Sequence, residues 1–214
     1  MNAVAEATLG PLNVPTVPRS VQRGDPTWAI VSLFPQQGDW SEADYLALEP
    51  KCLVELVDGF LEVLPVPTIQ HQLRVDYLHS ELKAFLAGKN LGRALFAPLP
   101  VRLGKSKFRE PDVIYLGNAR LVDLTKQPEG ADLVMEVVSE GEENRVRDLE
   151  TKRQEYAAAG IAEYWIADPK EMTITVLVLD GAMYREHGVF AVGSSATSVL
   201  LPGFAVEVAT VFAI

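Results

Sequence analysis

Two hydrophobic periods alternate along this chain. From Ile69 to Leu86 the apolar residues Leu73, Tyr77, Leu78, Leu82, Phe85 and Leu86 recur at helical spacing, and Gly88 lies just past the end, where helices favour glycine. A second helix is expected over about 145–159, ending at Gly160, with Val146, Leu149, Tyr156 and Gly160 as its inward stripe. A short one over 41–49 begins at Ser41, a capping residue answered by Asp44 three positions on, and stops before Pro50. Strand-like runs occupy Leu53–Val57 and Phe60–Val66, joined at Asp58-Gly59 as a hairpin. Further runs cover Ala94–Leu103, Pro111–Leu116, Asp132–Ser139, Ala162–Ala167, 172–179 and 182–191, and a last segment spans Phe204–Phe212. The order helix, three strands, helix, strand, with strand-rich flanks, predicts a mixed α/β domain over 39–214 whose helices cover a central sheet. Residues 1–38 hold five prolines and neither period, so they are expected to form an extended or partly disordered arm.

Composition narrows the class. The 214 residues are 48% hydrophobic and 22% charged, enough for a buried core and unlike a collagen-like or wholly disordered chain. One cysteine, Cys52, cannot make an internal disulfide and fits a reducing compartment. No apolar run approaches the ~18–20 residues of a membrane span. Glu6 interrupts the stretch where a signal peptide would be apolar, so a cytoplasmic protein with no membrane partner is expected. Nineteen basic against 29 acidic residues leave a net charge of −10, which argues against broad non-specific nucleic-acid binding. Basic residues nonetheless cluster at Arg102, Lys105, Lys107 and Arg109, and again at Arg145, Arg147, Lys152 and Arg153, as solvated faces or as partner surfaces.

Three residues sit where a core should exclude them. Leu133-Val134-Met135-Glu136-Val137-Val138 has no alternation, so it reads as a central strand covered on both faces, with Glu136 in its middle. An unpaired carboxylate there needs a metal, a cation or an opening to solvent. Asp112, after Glu110-Pro111, opens the apolar run Val113–Leu116. If the two strands are neighbours, both carboxylates converge on one cation. With a main-chain carbonyl and waters they make an oxygen site for Mg²⁺, or Mn²⁺ as a substitute. Lys152, three residues after Leu149 and four before Tyr156, points toward the sheet. It can orient a water or stabilise charge on a phosphate, unless Asp148 simply pairs with it at i,i+4.

Asp112, Glu136 and Lys152 resemble the PD-(D/E)XK nuclease triad with the lysine moved from the strand to the following helix, since Val138 stands where the simple motif has lysine. More specifically, the chain resembles the Uma2 (DUF820) family from about Tyr45 to Phe212. The likeness runs through Glu55–Gly59, His71-Gln72, Phe96–Leu103, Pro111-Asp112, Glu136–Ser139, Asp148 with Lys152 and Tyr156, Glu163–Trp165 with Asp168-Pro169, and Leu201–Phe204. The resemblance implies a restriction-endonuclease-like αβββαβ core, with Glu55 and His71 also facing the active site. The expected function is a Mg²⁺-dependent endonuclease acting on DNA, with Asp112, Glu136 and the Val137 carbonyl as metal ligands and Lys152 positioning water. A homodimer with the arm as its contact would suit duplex cleavage. A non-catalytic nucleic-acid or protein-binding module that keeps the fold is the alternative, and a buried structural charge network is a third reading.

Overall fold

In the computed structural model the described residues are 34–48 and 53–213. The arm up to residue 33, Pro50 and Cys52 lie outside them. A short helix α1 (Glu42–Leu46) leads into the hairpin β1 (Val54–Val57) and β2 (Phe60–Val63), followed by the long helix α2 (Ile69–Leu86). Strands β3 (Gly92–Phe96), β4 (Val101–Gly104), β5 (Lys107–Arg109), β6 (Val113–Gly117) and β7 (Leu133–Val137) come next. A continuous helical stretch then comprises α3 (Glu142–Val146), a π-helical turn over Arg147–Thr151, and α4 (Lys152–Ala158). Strands β8 (Glu163–Asp168), β9 (Thr173–Asp180), β10 (Met183–Ala191), β11 (Ser195–Thr197) and β12 (Ala205–Glu207) and a terminal helix α5 (Val208–Phe212) complete the order.

The main sheet has six strands in the order β10-β9-β8-β7-β6-β3. Only β7 and β8 run parallel, joined by the 142–158 helix as a crossover. Helix α2, β3, β6, β7, that helix and β8 form the αβββαβ core expected from the resemblance. The period-2 geometry of β7 divides its residues between two cores. Leu133, Met135 and Val137 pack in one cluster with Val75, Leu78 and Leu82 of α2. Val134 faces the other cluster, with Tyr156, Ala157, Ile161 and Tyr164. Glu136 therefore points toward the crossover helix.

Local signals explain the boundaries. Ser41 and Asp44 close a reciprocal capping box on α1, and Thr68 Oγ1 accepts from His71 N at 3.2 Å to cap α2. Asp58 and Gly59 both take positive φ, +51° and +87°, as a two-residue hairpin turn demands. Gly59 has a second reason to be glycine, because a Cβ there would lie 2.3 Å from Gly38 O. Gly38 N and Trp40 N both donate to Gly59 O, so residues expected at the end of the arm are fastened to the hairpin.

Three expectations are met only in part. The run Ala94–Leu103 is two strands in two sheets, because Pro98 and Pro100 lack the N–H donors a ladder needs. β4 instead joins a second sheet, ordered β2-β1-β5-β4. Of the basic stretch from Arg102 on, Lys105 is exposed as a solvated face would be, but Arg102 and Lys107 are drawn into ion pairs. The stretch contains β5, and Arg109 within it is 1% exposed, bonded by Glu55, Glu62 and Glu155. The inward stripe of the crossover helix departs from expectation at Val146, while Lys152 and Tyr156 face inward as expected. Val146 is 42% exposed, while Asp148, Lys152 and Tyr156 are buried. The wider π turn carries Asp148 and Lys152 to the sheet side, and Tyr164 OH donates to the Asp148 carbonyl at 2.7 Å.

Candidate active site

The antiparallel pairing of β6 and β7 matches Val113 with Met135. One position further, Asp112 and Glu136 stand across from each other at the end of the ladder. Asp112 Oδ2 accepts from Val137 N at 2.8 Å, so the edge of β7 that carries the Val137 N–H faces Asp112. In an extended strand a residue's C=O lies on the same edge as its N–H, so the Val137 carbonyl faces Asp112 too.

Glu136 is 3% exposed and meets two donors from α4. Lys152 Nζ lies 2.9 Å and Tyr156 OH 2.5 Å from the same oxygen, Oε1, so Oε2 is the oxygen open to a cation. Lys152 also sits 3.2 Å from Asp148 Oδ1, the anticipated i,i+4 pair, so one ammonium bridges two acids. Burial pushes Glu136 up to about 7, helped by the charges of Asp112 and Asp148 and opposed by Lys152. Burial opposes the charge on Lys152 as well, but Glu136, Asp148, Glu55 and Asp112 outweigh it and raise its pKa. The lysine stays an ammonium.

His71, in the first turn of α2, reaches Asp112 Oδ1 with Nε2 at 3.1 Å. Burial disfavours its charge. The hydrogen bond to Asp112, and the fields of Asp112, Glu136 and Asp148, more than offset that and raise its pKa. Glu55 is not in this constellation. It is fully buried behind it on β1, where Oε2 accepts from Arg109 Nη1 at 2.6 Å and Oε1 from Glu110 N at 2.8 Å. Burial opposes ionisation there, but Lys152 and Arg109 dominate and hold the carboxyl below its ordinary range. Glu55 thus anchors the strand before Asp112 instead of lining the cleft.

The cleft has a volume of about 790 Å³, and Asp112, Glu136, His71, Asp148 and Lys152 all line it. Two residues that the sequence offers beside Lys152 belong to the site. Asp148, its i,i+4 partner, shares the ammonium with Glu136. Tyr156, on the inward stripe four residues after Lys152, donates to Glu136. Glu110 also lines the cleft, and burial together with the charge of Glu55 pushes it up to about 7.

Among the described residues no three His, Cys, Asp or Glu side chains form a ready-made metal cage. The donors present fit a hard divalent cation differently. Asp112, Glu136 and a main-chain carbonyl supply oxygens, with waters to complete the shell. Three acids, Asp112, Glu136 and Asp148, meet His71, Lys152 and Arg147, and burial first, then the charges of Asp112 and Asp148, keep Glu136 raised despite Lys152.

Comparison with known proteins identifies a family and a similar fold. Residues 42–209 match the model of the Uma2 family, described as "Putative restriction endonuclease". The fold is similar to the crystal structure of a "putative nuclease belonging to DUF820" from Anabaena variabilis, at a TM-score of 0.67 and 16% identity. That match covers 81% of this chain and 98% of the other. No curated protein matches the chain.

Proposed function

Because the chain belongs to the Uma2 family, we propose that it is a Mg²⁺-dependent endonuclease that hydrolyses DNA phosphodiesters in this cleft. The observation that carries the reading is the convergence of two strand-end carboxylates, Asp112 and Glu136, with a buried ammonium bonded to one of them. Asp112, Glu136 and the Val137 carbonyl would hold the metal, which when bound polarises a phosphate oxygen and acidifies water. Lys152, fixed by Glu136 and Asp148, orients the attacking water and offsets charge that builds on the phosphate oxygens. Tyr156 locks the Glu136 rotamer, and Asp112 raises the His71 pKa and orients its ring at the cleft wall. Cutting both strands of a duplex calls for a second such site, which pairing of two copies provides.

The test is cleavage of supercoiled plasmid with Mg²⁺ or Mn²⁺ by the wild type, Asp112→Asn, Glu136→Gln and Lys152→Met. Loss of cleavage in all three folded variants is expected. Undiminished cleavage by Glu136→Gln would refute the assignment. One observation favours the non-catalytic alternative, that Lys152 and His71 partner both carboxylates. That reading expects no change in melting temperature on adding Mg²⁺.

A further inference from the structure

We infer that Arg74 is a phosphate-binding residue that grips the nucleic-acid strand on the α2 side of the cleft, an inference that rests on the nuclease reading above. Arg74 lies on α2 one turn after His71 and lines the same cleft. Its Nε is buried and has no hydrogen-bond partner. Buried polar groups are almost always paired, and a guanidinium is among the costliest to leave without an acceptor. One other buried side-chain atom among the described residues shares that condition, Glu110 Oε2, and Glu110 lines the cleft as well. Both unsatisfied atoms therefore belong to the walls of the space a ligand would fill.

The other arginines on the cleft wall are already committed, while Lys170, after β8, is an exposed cation there with no carboxylate partner among the described residues. Arg145 forms a two-pronged pair with Asp168 at 2.9 and 2.7 Å, and Arg147 Nε contacts Asp148 at 3.4 Å. Lys152 is held by Glu136 and Asp148. No carboxylate among the described residues pairs with Arg74, so its planar fork is free for the acceptor it matches best apart from a carboxylate, a phosphate. The N-terminus of the 18-residue α2, with Thr68 and Gln70 on the cleft wall, adds positive potential on the same side.

Geometry favours a polymer over a single phosphate. Arg74 reaches the cleft from α2 and Lys152 from α4, helices that pack on opposite faces of the main sheet. The two cations flank the Asp112–Glu136 edge from either side. The cleft, at about 790 Å³, is far larger than one phosphate, so a phosphodiester chain crossing that edge continues along the wall that carries Arg74.

The experiment is fluorescence anisotropy of a short labelled DNA duplex with the full chain, Ca²⁺ replacing Mg²⁺, between about 50 and 200 mM salt. Wild type, Arg74→Gln, Arg74→Lys and Glu136→Gln are compared, with melting temperatures for each. Arg74→Gln is expected to weaken binding and to lower the slope of log affinity against log salt by about 0.9, the signature of one lost phosphate contact. Arg74→Lys restores the slope without the full affinity, because the charge returns without the fork. An unchanged slope in Arg74→Gln overturns the inference, whether or not its melting temperature falls. If that occurs while Glu136→Gln abolishes plasmid cleavage, the nuclease reading stands alone. If the slope falls as expected but the wild type never cleaves, Arg74 keeps its role and the catalytic reading fails. A wild type that binds no DNA overturns both.

Discussion

Glu136→Gln separates an active-site carboxylate from a structural ion pair by the sign of its effect on stability. Burial and the charges of Asp112 and Asp148 lift Glu136 from an ordinary 4.5 to about 7 despite the ammonium 2.9 Å away. The folded protein therefore holds this proton more tightly than the unfolded chain. Below pH ~4.5 both states are protonated and the carboxyl costs nothing. As pH rises through 7 the unfolded state has already ionised at little cost, and the folded state must ionise against its surroundings. At ~1.4 kcal/mol per pH unit, the rise from 4.5 to about 7 makes ionised Glu136 a burden of about 3 kcal/mol above pH 8. Glutamine imitates the protonated acid, can still accept from Tyr156, and leaves Lys152 with Asp148. In EDTA, urea denaturation should show the variant more stable than wild type at pH 8, by up to about 3 kcal/mol, and nearly equal at pH 4.5. Adding Mg²⁺ should stabilise only the wild type. The opposite sign, a loss of roughly 3–5 kcal/mol at pH 8, is what breaking a buried ion pair produces, and it would refute the reasoning.

Asp112→Asn should lower the His71 pKa, because the principal groups raising it are the Asp112 hydrogen bond and charge; histidine NMR titration reads this directly. In the wild type this pair adds stability that is complete below the unfolded histidine pKa and disappears as pH climbs through the raised folded value. Arg109→Met should destabilise by roughly 3–5 kcal/mol in denaturant titrations at pH 7, since it leaves Glu55 fully buried without its guanidinium. A cost under about 1 kcal/mol would show that Arg109 does not hold β1 against β5. Gly59→Ala should lose at least ~1 kcal/mol, as its Cβ would meet Gly38 O at 2.3 Å with φ at +87°. An unchanged melting temperature would contradict that turn geometry.

Much of this architecture was written in local pattern. Capping at Ser41, the Asp58-Gly59 turn, the 69–86 helix and the unalternating Leu133–Val138 run depend on near neighbours and on period, so they could be read residue by residue. The same logic singled out Asp112, Glu136 and Lys152, because a charge inside an apolar strand or on an inward helix face is anomalous before any fold is known. Tertiary structure alone decided what each charge meets. Glu55 turned from a cleft residue into the buried partner of Arg109, because the second sheet carries both on paired strands. Asp148, readable at i,i+4 as a partner of Lys152, lies inward within the π turn, while Val146 just before it is exposed, where the helical stripe expects it buried. Arg74 emerged only through its missing partner. Periodicity reports the face a residue occupies, while pairing of charges across the sequence depends on strand order and helix phase, which the assembled sheets set.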